Sequence, residues 1–320
     1  TFRVQDPVSQ RMLALRPDMT LQVARIAGSR LSNSPRPLRL AYSGQVVRVK
    51  GSQLRPERQF GQVGAELIGA SGPTADVEVV LMAIEGLKAI GAQNLSVDLG
   101  LPTLASLVLD GIKLDSKQSS QLRTALNRKD SAAVEGMGDI LSAQASAALL
   151  GMIAAVGPAD KAIEKLNAID LPAPARDLCS HLGAVISGIQ VANAELQLTV
   201  DPVEIRGFEY HTGVTFALFA RGASGELGRG GHYQSDGNGS AESATGFTVF
   251  MDTVLQALPA AEQMGSVYLP KGTKPDQARN LRNQGWRTIS ALDETSDAAS
   301  EAKRLNCTHM LEGDSVRELN

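Results

Sequence analysis

The chain has 320 residues, 43% of them hydrophobic, and its 31 Lys and Arg against 34 Asp and Glu leave a net charge of −3. That is enough material for a sizeable core and more than one domain. The near-neutral balance, with one Trp, four Tyr and seven Phe, argues against a dedicated nucleic-acid binder, which needs excess basic charge and stacking surface.

Cys179 and Cys307 are the only cysteines and form no CxxC pair, which argues against a disulfide framework or a cysteine-based metal site. Two reduced thiols fit a cytoplasmic location. No apolar run reaches the ~18 residues of a membrane span, and no signal peptide is visible. The chain opens on Thr1 in mid-pattern and reads as a sequence whose start lies upstream.

In chain order, the first expected feature is Leu15-Arg16-Pro17-Asp18-Met19-Thr20. It reads as a turn in which Pro17 restricts Arg16, with Asp18 or Thr20 capping a following helix. Residues 38–50 and 58–69 alternate apolar and polar and predict two antiparallel strands joined by a polar loop. Thr74 to Ile90 has helical spacing, with Asp76 and Glu78 in the first turn, where acidic groups suit the helix dipole. Leu95 to Leu99 reads as a strand, and 101–192 as an all-helical insertion of five or six helices. Strands are expected again at 196–205, 212–221 and 226–234, then a loop at 236–240 and a strand running into a helix over 245–258. Beyond Leu258-Pro259 the pattern becomes strand, helix, strand, helix, strand, which predicts a small three-layer α/β domain with a parallel sheet.

Four segments carry chemistry. The first is the turn around Asp18. The second is the hairpin, where Arg58, Gln62 and Glu66 share parity with Phe60 and Gly64. That face is either solvated or the floor of a polar pocket in which Glu66 accepts from a cationic or N–H-bearing ligand. The third is Arg206-Gly207-Phe208-Glu209-Tyr210-His211-Thr212-Gly213. The fourth is Gly228-Arg229-Gly230-Gly231-His232-Tyr233 with Gly246-Phe247 beyond it. A glycine cluster alone is equally well a hairpin turn.

In this order and spacing the four segments resemble the class II aminoacyl-tRNA synthetases, specifically the histidyl-tRNA synthetase branch. The hairpin resembles the second class II motif, and Arg206 to Gly213 the family's Arg-Gly-x-x-Tyr-Tyr segment. Gly230 to Tyr233 resembles its Gly-Gly-Arg-Tyr, and Gly246-Phe247 the opening of its third motif. The resemblance implies an α+β fold: an antiparallel sheet flanked by helices in a core domain over 1–260, with the helical insertion, and a truncated anticodon-binding-like α/β domain over 261–320. It also implies a histidine-like pocket. Asp18, Thr20 and Gln62 face the ligand's amino group and Glu66 its imidazole. Arg206 lies near the carboxylate, Arg48 is the second motif's phosphate-binding arginine, and Tyr210 and Tyr233 line the pocket. His211 stands where the family has a second Tyr.

Two departures bear on activity. Lys50 stands where the second motif has Glu, and Thr253 where the third motif has an Arg that clamps ATP phosphates. A guanidinium offers fixed charge and a fork of donors; a hydroxyl offers neither. Within the family, this pattern resembles the regulatory subunits of ATP phosphoribosyltransferase. That branch implies a non-catalytic chain without a cofactor, activating the short-form catalytic subunit and contributing to histidine feedback in the first step of histidine biosynthesis. It also implies self-association as a dimer within a hetero-octamer, no membrane and no tRNA charging. Two alternatives remain open: a divergent histidyl-tRNA synthetase, and a synthetase-like paralogue acting on another substrate.

Overall fold

The structure is a computed structural model that describes residues 1–51, 57–204, 210–236, 241–259 and 265–319. It divides into two compact units, Thr1–Pro259 and Ala260–Asn320.

The first unit opens with a two-stranded hairpin, β1 (Arg3–Gln5) and β2 (Met12–Ala14), followed by helix α1 (Thr20–Ser29). Strands β3 (Leu38–Val47) and β4 (Gln59–Ile68) form the expected long hairpin, and α2 (Pro73–Ala89) the expected helix, with Pro73 in its first turn. Next come β5 (Leu95–Gly100), then helices α3 (Leu104–Val108), α4 (Ser116–Arg128), α5 (Ser131–Glu135) and α6 (Ala143–Ala154). The two-residue β6 (Gly157–Pro158) precedes α7 (Ala159–Asn167) and α8 (Ala173–Ala192). The unit closes with β7 (Gln197–Asp201), β8 (His211–Ala220), β9 (Gly228–Asp236), β10 (Ala241–Phe250) and α9 (Met251–Ala257).

The eight long-range strands form one sheet in the order β3-β4-β10-β9-β8-β5-β7-β6, antiparallel except for the β5–β7 pair. The insertion is therefore not all-helical: β6 pairs with the edge strand β7. Six helices do span 104–192. The α4 start is fixed by a reciprocal capping box between Asp115 and Gln118.

Alternation puts the odd residues of β4 on one face and the even ones on the other. The odd face, with Leu67, meets α2 and α8 in the main core, which includes Val80, Ile84, Val97, Leu182 and Leu218. The even face lies under α1. There Phe60, Tyr42, Val46 and Phe250 pack with Met19 and Val23, and Ile68, Tyr233 and Ala244 pack with Ala27. The sheet is thus covered on both sides, and the polar side chains of the even face are enclosed.

The second unit contains β11 (Ser266–Leu269), α10 (Pro275–Asn283), β12 (Arg287–Ser290), α11 (Ala298–Arg304), β13 (His309–Glu312) and β14 (Ser315–Glu318). Its sheet runs β12-β11-β13-β14. The three expected strands pair in parallel, and a fourth, β14, not expected from the sequence, returns antiparallel on β13. Val267, Leu269 and Leu311 face Ala278 and Leu281 of α10, while Tyr268 and Met310 face Ala302 of α11, giving three layers.

Candidate functional site

The polar floor under α1 is built by β4. Gln62 is 1% exposed and Glu66 2% exposed, so this face is buried. Burying polar groups requires partners. Gln62 donates through Nε2 to Asp18 Oδ2 at 2.9 Å and accepts at Oε1 from the Met19 backbone N–H at 2.9 Å. Asp18 Oδ1 in turn accepts from the Thr20 backbone N–H at 2.7 Å. The N-cap of α1 is Met19, whose side chain makes no capping bond; Asp18, one residue earlier, satisfies the first helical N–H instead.

Glu66 accepts at Oε2 from the Tyr233 hydroxyl at 2.9 Å. Its carboxylate occupies space that exists because residue 246, opposite it on β10, is glycine: a Cβ there would overlap the carboxylate. Gly64 plays the same part for Tyr42, whose hydroxyl is within 3.2 Å of Thr20 Oγ1 and donates to the Phe247 carbonyl at 3.2 Å. Burial pushes the Glu66 carboxyl up to about 7, although the Tyr233 and Thr20 hydroxyls work against it. Burial and the neighbouring Glu66 charge likewise raise the Tyr42 and Tyr233 phenols.

The structure therefore brings together Asp18, Thr20, Gln62, Glu66 and Tyr233 from the sequence-derived set and adds Tyr42. Tyr210 stacks near His211 with ring centroids 4.1 Å apart and meets Tyr233 edge-on at 5.8 Å. His211 Nδ1 is 3.2 Å from the backbone oxygen of His232, and burial lowers the imidazole to about 4, so the ring is neutral at neutral pH. Arg48 lies 4.7 Å over the Phe60 ring and 5.4 Å over that of Phe250. Arg206 lies outside the described residues, as do the hairpin loop at 52–56 and residues 237–240. Lys50 is exposed, and Thr253 is 2% exposed within α9. Arg229 pairs with Glu226.

A second polar cluster, not foreseen from the sequence, lies on the other face of the sheet. Asp76, expected only as a dipole-stabilising residue, is 2% exposed. His181 Nε2 of α8 lies 2.7 Å from Asp76 Oδ2, and His232 Nδ1 of β9 lies 3.5 Å from Oδ1. His232 Nε2 is 2.8 Å from Ser243 Oγ. Burial works to raise the Asp76 carboxyl, but the neighbouring His181 and His232 imidazoles and the Thr245 hydroxyl outweigh it and hold the group below the ordinary carboxylate range. His181 and His232 border an open cavity of about 560 Å³ with Leu107, Leu178, Thr212 and Gln234. The sequence signal for this cluster was an acidic residue on the apolar stripe of α2, between Ala75 and Val79.

Among the described residues no three His, Cys, Asp or Glu side chains converge as metal ligands do, and no helix is long and apolar enough to cross a membrane. Chemically, the site under α1 offers carboxylates, an amide and hydroxyls. It suits a ligand that carries an ammonium group and a ring with N–H donors.

The histidyl-tRNA synthetase family profile matches residues 1–254. An ATP phosphoribosyltransferase regulatory subunit of Rhodospirillum centenum is 49% identical over all of this chain and 81% of its own length. One of Paramagnetospirillum magneticum is 50% identical over all of this chain and 82% of its own length. Among solved structures, an ATP phosphoribosyltransferase regulatory subunit/histidyl-tRNA synthetase from Bacillus halodurans superposes with a TM-score of 0.77 at 25% identity, covering 94% of this chain and 80% of that one. A histidyl-tRNA synthetase from Nostoc shares the fold with a TM-score of 0.72 at 15% identity, covering 97% of this chain and 78% of that one.

Proposed function

The chain belongs to the family of ATP phosphoribosyltransferase regulatory subunits, and from that membership we propose that it activates the short catalytic subunit and conveys histidine feedback through the pocket under α1. The observation that carries the histidine part is the Glu66–Tyr233 pair beside the Asp18–Gln62–Thr20 array. It is an enclosed, acceptor-rich floor on a synthetase-like sheet, where Gly246 leaves room for the Glu66 carboxylate. Asp18, Thr20 and Gln62 receive the amino group, Glu66 and Tyr233 the imidazole, with Tyr42, Tyr210 and His211 beside them. Arg206 takes the carboxylate.

In this reading the nucleotide half is inert. Lys50 points to solvent, and buried Thr253 offers no fixed charge to a phosphate. Thr1–Pro259 serves as the synthetase-like core and Ala260–Asn320 as a shortened anticodon-binding-like domain that charges no tRNA. The exposed apolar residues Val4, Val8, Met12 and Leu13 of the β1–β2 hairpin support self-association as a dimer within a hetero-octamer. The complex works in the cytoplasm.

The test is to mix the chain with the short catalytic subunit and follow phosphoribosyl transfer. Activation, a joint species by light scattering and histidine inhibition of the mixture are expected. No complex and no change in rate would overturn the proposal. The alternative of a divergent histidyl-tRNA synthetase draws on the profile match and on Arg48. It requires histidine-dependent exchange of pyrophosphate into ATP, which should be absent.

A further inference from the structure

We propose that the pocket takes up its ligand's imidazole together with one proton, so that Glu66 and the ring hold a single proton between them as a net-neutral buried pair. This rests on the reading that histidine binds under α1.

Glu66 is 2% exposed, on the strand face enclosed by α1. The groups that bear most on it are Tyr233 from β9, Thr20 and Asp18 from the start of α1 and Tyr42 from β3, and none of these is a cation. β10 places Gly246 opposite Glu66 and adds the Thr248 hydroxyl at Tyr42, neither of them a cation. Tyr210 reaches Tyr233 through its ring edge, and the His211 imidazole beside it is neutral. Arg229, which bears on Tyr210, is paired with Glu226. Among the described residues, an ionised Glu66 is therefore a buried charge stabilised by hydroxyl dipoles and faced by no cation, and such a charge is costly. A neutral imidazole leaves that cost in place. An imidazolium, or a neutral ring against a protonated carboxyl, removes it, and the two descriptions differ only in where one proton sits.

The proton count follows. Free Glu66 titrates at about 7, and a free imidazole at about 6.5. A complex holding one proton therefore exchanges none near pH ~6.7, takes up about 0.9 proton at pH 8 and releases about 0.7 at pH 6. Between pH 7.5 and 8.5 the histidine Kd rises about sevenfold.

The experiment is calorimetric titration of the chain with L-histidine from pH 6 to 8.5, in buffers of different ionisation enthalpy. Uptake at pH 8 that reverses to release at pH 6 supports the proposal. Binding with no net proton exchange across this range overturns it while leaving histidine in the pocket. Absence of binding removes both the pocket and this inference. In Glu66→Gln the amide cannot share the proton, so uptake should disappear; uptake retained at full size also overturns the proposal. The wild-type series decides the matter even if the variant does not fold.

Discussion

Glu66→Gln should stabilise the ligand-free chain at alkaline pH. The magnitude comes from the carboxyl's two environments. In the unfolded chain it titrates near 4.5, and in the folded chain burial raises it to about 7. Between those values the folded state holds a proton that the unfolded state has lost, so stability falls as pH rises through this window. Below 4.5 both states are protonated and the group contributes nothing. Above 7 the full cost applies, about 2.5 units or ~3 kcal/mol. At pH 5.5 the same relation leaves about 1.5 kcal/mol. The amide keeps the shape and can pair with the Tyr233 hydroxyl, so it escapes the charge term at every pH. Urea unfolding of wild type and variant at pH 8 and 5.5 measures the difference: a gain of about 1–3 kcal/mol at pH 8 that shrinks by ~2 kcal/mol at pH 5.5. A gain independent of pH, or a loss at pH 8, would refute the view that Glu66 is buried as an uncompensated carboxylate.

Gly246→Ala places a methyl against the Glu66 carboxylate. It should cost about 1–3 kcal/mol of stability and raise the histidine Kd at least tenfold, both readable by calorimetry. Asp76→Asn acts with the opposite pH sign to Glu66. Because Asp76 is held below 3.8, its stabilisation is present above that value and is lost as pH falls through the lower folded value. The variant should lose about 1.5–3 kcal/mol at pH 7 in denaturant unfolding, with the deficit closing in acid. Burial pushes the Cys179 thiol up to about 11, and Cys307 is buried as well. Neither should react with a disulfide reagent at pH 7.5 until denaturant is added.

The long elements were legible because their patterns are local. Alternation over 38–50 and 58–69 marked β3 and β4 to within three residues at each end, and the apolar stripe of Val80, Ala83, Ile84 and Leu87 marked α2. The short ones were not. β6 has two residues and is a strand only because β7 lies beside it, and β14 carries one apolar residue, Val316, in Ser-Val-Arg-Glu. The hairpin β1–β2 is exposed throughout, so no buried face imposed a pattern on it. Within the site, parity alone placed Gln62 and Glu66 together. Their burial could not be read, because it depends on partners distant in sequence, Asp18 44 residues away and Tyr233 167 residues away. Tyr42 was missed although the hairpin register sets it opposite Gly64. Asp76 was assigned to a helix dipole because nothing local shows that His181 and His232 converge on it.

Strand β9 explains why the two buried carboxylates differ. Its consecutive residues His232 and Tyr233 point to opposite faces, one towards Asp76 under the helical layer and one towards Glu66 under α1. Both carboxylates are 2% exposed, so desolvation alone would move them the same way. They move apart because of their partners. Two imidazoles approach Asp76 and favour its charged form, whereas the groups bearing on Glu66 are hydroxyls and a second carboxylate, which leave burial dominant. A buried charge with internal partners belongs to the fold. A buried charge met only by hydroxyls costs stability in the ligand-free chain. An amide at 66 is expected to give a more stable ligand-free chain, and on the proposed reading the carboxylate beside Gly246 and Tyr233 answers to a ligand that brings the missing proton and donor. The helical insertion, tied to β9 through His181 and Asp76, takes hold of the same strand that carries Tyr233. Any effect of the ligand on the position of Tyr233 is therefore applied one peptide away from the residue that meets the helical layer.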